Sequence, residues 1–182
     1  TPHTVSVQAH NANGNGLPGT AVVTPRVGAT YFALTPSRIL DTNDPANIQR
    51  SAPLSPYTVV TFNVTNRFPG DATRNVPSTA TSVTGVLSVF KPGAKGNLAL
   101  GPTVASHPAT STLNFPANDA RATGVTVTLG AGGTLQVVYS ASLSTATADV
   151  AFDVTGYFLT GTSGATYVAL SPLRVLNAGT GI

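Results

Sequence analysis

Apolar residues in this chain alternate with polar ones far more often than they recur at helical spacing. Within 58–64, Val60, Phe62 and Val64 fall on one face. Within 149–155, Val150, Phe152 and Val154 share a face opposite Asp149, Ala151 and Asp153. A period of two with one apolar face marks an antiparallel strand lying half in a core. Runs of this kind predict strands over 4–9, 21–24, 31–34, 57–65, 82–90, 97–100, 112–115, 124–129, 134–140 and 148–159. No window of about eleven residues carries an i, i+3, i+4, i+7 apolar stripe, and the Thr, Val and Gly content disfavours helix. Fourteen prolines and eighteen glycines punctuate the runs. Gly130-Ala131-Gly132-Gly133 and Pro92-Gly93-Ala94-Lys95-Gly96 each separate two strand-like runs and predict hairpin turns. The pattern predicts an all-β antiparallel sandwich, jelly-roll or immunoglobulin-like, with essentially no helix.

One strand-like phrase occurs twice. Residues 28–40 read GATYFALTPSRIL, and residues 164–176 read GATYVALSPLRVL. The offset is domain-sized, which argues against a short-period solenoid. The expected organisation is a strand and loop segment over 1–27, a β-sandwich domain over 28–160, and a linker plus a second copy of the domain-start phrase over 161–182. The first segment then serves as an inter-subunit element or the end of a preceding unit. Either the chain is cut from a tandem array, or the second copy works outside its own domain. An extra strand at Tyr167, Val168, Ala169 and Leu170, followed by Arg174, can add to the sheet edge of a neighbour through main-chain hydrogen bonds. A head-to-tail contact of that type does not close and yields filaments.

Composition narrows the classes of function. Hydrophobic residues make up 41% of the 182 residues, enough for a packed core, while charged residues make up 8% against a usual share of about 25%. There is no Glu, so the polar surface consists largely of Thr, Ser, Asn and Gly. The formal charge of +3 comes from scattered Lys and Arg, not from the clustered stripe that nucleic acid requires. Without Cys there is no disulfide and no thiol chemistry. The absence of Met leads to the expectation of a processed N-terminus, with removal of a secretion signal as the natural cause and an extracellular or cell-surface location as the result. No apolar run approaches the ~20 residues of a membrane-spanning helix.

Several segments carry a resemblance. They are Tyr31/Phe32 followed by Leu34-Thr35-Pro36-Ser37-Arg38-Ile39-Leu40-Asp41-Thr42, then Phe62-Asn63-Val64-Thr65, then 109–115 (ATSTLNF), then 149–158 (DVAFDVTGYF). In this order they resemble an all-β domain that recurs in exported and surface proteins of actinobacteria, chloroflexi and similar bacteria, with the hallmark aromatic…Leu-x-Pro-x-Arg-x-Leu-Asp-Thr-Arg. The match covers roughly residues 30–158, one typical domain length. It departs at Asn43, where the hallmark has Arg, and in the second copy at Asn177, where it has Asp. The resemblance implies a module appended to exported enzymes or repeated in surface proteins, with no catalytic activity, cofactor or ligand residues of its own.

The candidate chemistry is sparse. Arg38 can pair with Asp41, Asp149 or Asp153. Acid–base catalysis by these carboxylates would need a groove and a carboxyl of raised pKa, so a structural ion pair tying the phrase to the last strand is the expected role. Asp41 and Asp44 superficially suggest calcium, but Ca²⁺ takes 6–8 oxygens, and an Asx-turn before Pro45 is the plainer account. His3, His10 and His107 are isolated, and no serine lies in a nucleophile elbow. Asn63-Val64-Thr65 matches the N-glycosylation sequon, although Asn63 also belongs to a strand. Of the aromatics, Phe62, Phe90, Phe115 and Phe152 are expected in the core. Tyr31, Tyr57, Tyr139, Tyr157 and Tyr167 are available to line a groove. The expected function is a structural module of a surface assembly that binds itself or neighbouring repeats. The alternative is a carbohydrate or cell-wall binding module of an exported hydrolase.

Overall fold

The alternation is realised as strands throughout. The computed structural model describes residues 3–8, 10–12, 14–23, 29–44 and 49–161. Four short strands come first: β1 (His3–Val7), β2 (His10–Asn11), β3 (Gly14–Asn15) and β4 (Gly19–Val23). They nest as an antiparallel arm, β1 on β4 and β2 on β3, with Gly14 at φ 119° near its tip. Eight further strands build a sandwich: β5 (Ala29–Asp41), β6 (Val60–Asn63), β7 (Ser82–Phe90), β8 (Gly96–Gly101), β9 (Leu113–Phe115), β10 (Arg121–Thr128), β11 (Thr134–Ala141) and β12 (Asp149–Thr160). No helix occurs among the described residues.

The eight strands form two antiparallel sheets, β10-β7-β12-β5 and β6-β11-β8-β9. From β5 to β12, every connection except β8–β9 passes from one sheet to the other. This is the double Greek-key winding of a jelly roll, and it excludes the immunoglobulin-like alternative. It also corrects two turn predictions. Pro92–Gly96 carries the chain from β7 to β8, and Gly130–Gly133 carries it from β10 to β11; in both cases the flanking strands lie in different sheets. The turns are tight, with Gly132 and Gly133 at φ 69° and 72°, but they act as sandwich corners. A glycine-rich connection specifies a reversal of direction, not a pairing partner.

The inner faces interdigitate around Phe62, Leu87, Leu98, Phe115, Leu135, Tyr139, Val150, Phe152 and Val154, all nearly or fully buried. Phe62 of one sheet meets Phe152 of the other with ring centroids 5.8 Å apart. Apolar burial of this kind drives folding at about 25 cal/mol per Å². Tyr139 has no exposed surface, and its hydroxyl donates to the Ala94 carbonyl at 3.1 Å, so its polar atom is satisfied inside the core.

The repeated phrase is β5, an edge strand thirteen residues long, well beyond the predicted 31–34. It runs along β12 with two interruptions. Leu40 faces Phe152 and Arg38 faces Asp153, leaving Ile39 as the extra residue of a bulge. Ser37 faces Val154 and Ala33 faces Gly156, so Pro36 falls where the ladder is broken. Proline lacks the N–H that a ladder needs and is tolerated at an edge bulge. Gly156 is required here, because a Cβ would collide with the Tyr31 ring that lies over it.

Candidate functional site

Two places concentrate polar side chains, one on the outer face of each sheet. The first lies where β5 meets β12. The bulge at Ile39 puts Arg38 directly opposite Asp153, and the guanidinium fork follows: Nε donates to Asp153 Oδ1 at 2.9 Å and Nη2 to Oδ2 at 3.0 Å. The remaining arm, Nη1, donates to Asp41 Oδ2 at 2.7 Å. These two carboxylates, with the Asp153 bonds foremost, hold the guanidinium in its charged form well above its ordinary pKa, against the opposing effect of burial. Asp41 Oδ1 accepts the Asn43 N–H at 3.0 Å, closing an Asx-turn.

Asp149 is not a partner of Arg38. It sits further along β12, buried, and accepts the Thr42 hydroxyl at 3.1 Å; the same Thr42 oxygen accepts the Val150 N–H at 2.8 Å. The strand geometry decides this, because Asp149 pairs opposite Phe90, four residues before Asp153 on the same face. Spacing alone could not choose among three acids, one on β5 and two on one side of β12. Gln49 was not picked out by sequence reasoning. Its amide donates to the carbonyl of Ile39, the bulged residue, and it also bonds both main-chain groups of Asn63. One side chain thereby stitches β5 to the free edge of β6, and nothing in its sequence context signals it.

Both carboxylate oxygens of Asp41 are thus engaged, and no group of three or more His, Asp or Glu side chains positioned for a metal occurs among the described residues. Asp44 is not part of the Arg38 fork. Asn63 is exposed on β6. Tyr139 belongs to the core rather than to a groove, whereas Tyr31 and Tyr157 pack edgewise or flat against Phe158 and Phe32. Tyr167, Val168, Ala169, Leu170 and Arg174 lie outside the described residues.

The second place is a groove of about 690 Å³ on the other sheet, within the size range of ligand clefts. The ladder aligns its floor: Ser140 of β11 faces Asn97 of β8, which faces Asn114 of β9. Tyr57 continues the row on the far side of β11. Its N–H donates to the Tyr139 carbonyl at 2.7 Å, its hydroxyl donates to the Ala141 carbonyl at 2.8 Å, and its ring stacks on His107 with centroids 4.3 Å apart. Tyr57 holds φ at 60°, a left-handed conformation that costs a bulky residue ~1 kcal/mol. Lys95 and Arg121 stand at the rim, and no carboxylate lines the groove.

No family model matches the chain, and no curated protein shows significant similarity to it.

Proposed function

We propose that this chain is a structural module of an extracellular surface assembly, joined to its neighbours by strand addition. One observation carries the reading. The chain holds a second copy of the β5 phrase, and its sandwich presents an edge that no described strand covers. In residues 164–176, Tyr167, Leu170, Arg174, Val175 and Leu176 stand where β5 has Tyr31, Leu34, Arg38, Ile39 and Leu40. These are the residues with which β5 packs along β12. A sequence that makes one strand in the sandwich has the means to make another.

The acceptor is the edge of β10, which no described strand covers. Sheet edges are ordinarily blunted by short length, charges, proline or bulges. The edge at β6 is short and capped by Gln49, and β9 is three residues long. The outer edge of β5 is broken by Pro36, with Thr35 bonded to the Thr73 carbonyl. By contrast, β10 runs eight residues without proline or bulge, and Arg121 is its single charge. The arm of β1 and β4 fits the same reading, because a two-stranded sheet is marginal alone in water and it exposes Val7 and Leu17. Scarce charge, no cysteine and the resemblance to exported bacterial modules support the surface location.

Removing residues 165–182 tests the proposal. The shortened chain is expected to melt as the full chain does but to remain monomeric in light scattering and electron microscopy, while the full chain forms higher assemblies. Assemblies of equal size from both chains would overturn it.

A further inference from the structure

We infer that the groove on the outer face of β11, β8 and β9 binds an acidic saccharide, a sugar polymer bearing carboxylate or phosphate groups. This site lies apart from the strand-addition reading except at Arg121, the first residue of β10, and is made entirely by described residues. Three observations converge on it.

The first is the row of polar side chains. Ser140, Asn97 and Asn114 lie in register across three strands, and adjacent strands are about 4.8 Å apart, which is close to the length of one sugar ring. Carboxamides offer both donor and acceptor, the combination that vicinal hydroxyls require. Asn97 makes no side-chain hydrogen bond among the described residues, Asn114 spends one N–H on Ser111 Oγ at 2.9 Å, and the Ser140 hydroxyl is unpartnered but covered, so it backs the row instead of meeting a ligand. Unsatisfied polar groups on a sheet of otherwise paired side chains call for an explanation.

The second is Tyr57. A tyrosine at φ 60° is an outlier, and backbone strain of this kind gathers at ligand clamps. Three contacts over-determine its position: the bond to Tyr139, the bond to Ala141 and the stack on His107. They fix an amphipathic ring at the end of the polar row. Rigid aromatic surface beside hydrogen-bonding amides suits the mixed apolar and hydroxylated faces of a sugar.

The third is charge. Lys95 is exposed and forms no ion pair among the described residues, and Arg121 offers Nε to Asp119, at 2.7 Å. The groove therefore presents net positive charge to its contents, in a chain where charges are few. A neutral glycan would leave both cations without a role, whereas a carboxylate or phosphate on alternate sugars would meet them.

Affinity electrophoresis through gels containing polygalacturonate, dextran phosphate or dextran tests the inference. The full chain is expected to be retarded by at least one of the two anionic polymers and not by dextran, and the responding polymer identifies carboxylate or phosphate as the source. Lys95→Ala and Asn97→Ala should each weaken that retardation about tenfold. Tyr57→Gly, which keeps the left-handed backbone without strain, should also weaken it. Lys91→Ala removes an equal charge away from the groove and should change retardation less than twofold. Melting curves check that each variant is folded; Lys95 is exposed, so its removal leaves the core intact. Retardation by neither anionic polymer, equal retardation by dextran, or equal sensitivity to Lys91→Ala and Lys95→Ala would each overturn the inference.

Discussion

The outer faces of the two sheets treat their polar residues in opposite ways. On the face carrying β5 and β12, the polar groups satisfy one another: Arg38 forks onto Asp153 and reaches Asp41, Asp41 turns back to Asn43, and Thr42 links Asp149 to the Val150 amide. On the face carrying β8, β9 and β11, the Ser140 hydroxyl is unpartnered, and Asn97 and Lys95 make no side-chain hydrogen bond or ion pair among the described residues. A closed network holds strands together and offers little to a ligand. An open row contributes little to folding and leaves hydrogen-bonding capacity for something else. Satisfaction of polar groups, more than their type, separates the two faces.

The largest expected effect is at Thr42. Thr42→Val keeps the shape but leaves a buried carboxylate and a buried N–H unpaired, which should cost about 3 kcal/mol and lower the melting temperature by roughly 10 °C. A loss below about 1 kcal/mol would show that the closed face is not structural at this point. Next comes Arg38→Ala. Its side chain is 45% exposed, so solvent screening limits the loss to about 1 kcal/mol. The loss should shrink in high salt, and Arg38→Lys should restore only part of it, because an ammonium cannot span both Asp153 oxygens. Denaturant titrations of both variants at two salt concentrations measure this.

Tyr139, beneath the open face, gives a pH test. Burial raises its hydroxyl pKa above the ordinary value of 10.0. A group that ionises more readily in the unfolded chain draws the equilibrium toward unfolding once the pH passes its unfolded value. Stability should therefore hold below about pH 10 and fall as pH rises beyond it. Tyr139→Phe should flatten that alkaline fall at a cost of about 1 kcal/mol at neutral pH. An identical alkaline profile in the variant would assign the fall to other groups. Smallest is the effect on folding of Asn97→Ala or Asn114→Ala, expected within about 0.5 kcal/mol. A larger loss in calorimetry would mean that the open face is structural after all, and the contrast would collapse.

Legibility followed the range of each interaction. The buried faces of β6 and β12 could be read directly, because alternation is a local consequence of strand geometry. Arg38 was readable as a structural cation, since a chain so poor in charge leaves it few partners. Its choice of Asp153 over Asp149 was not, because it depends on a bulge at Ile39 created by pairing with a strand more than a hundred residues away. Gln49 was invisible for the same reason, as its importance arises from the bonds it makes to Ile39 on β5 and Asn63 on β6. The groove was barely hinted at. Tyr57 stood among five tyrosines of equal standing, and Asn97, Asn114 and Ser140 look unremarkable apart until three strands bring them into one row.

By itself the sequence determined the all-β class, most strand positions, the core face of the longest strands and the doubling of the β5 phrase, because each depends on residues adjacent along the chain. The tertiary structure alone decided that the two glycine-rich turns are corners between sheets, that the winding is a jelly roll, which acid Arg38 holds and which polar side chains remain unpaired. Those outcomes depend on register between distant strands. A period of two states which face a residue occupies, but not what lies beside it.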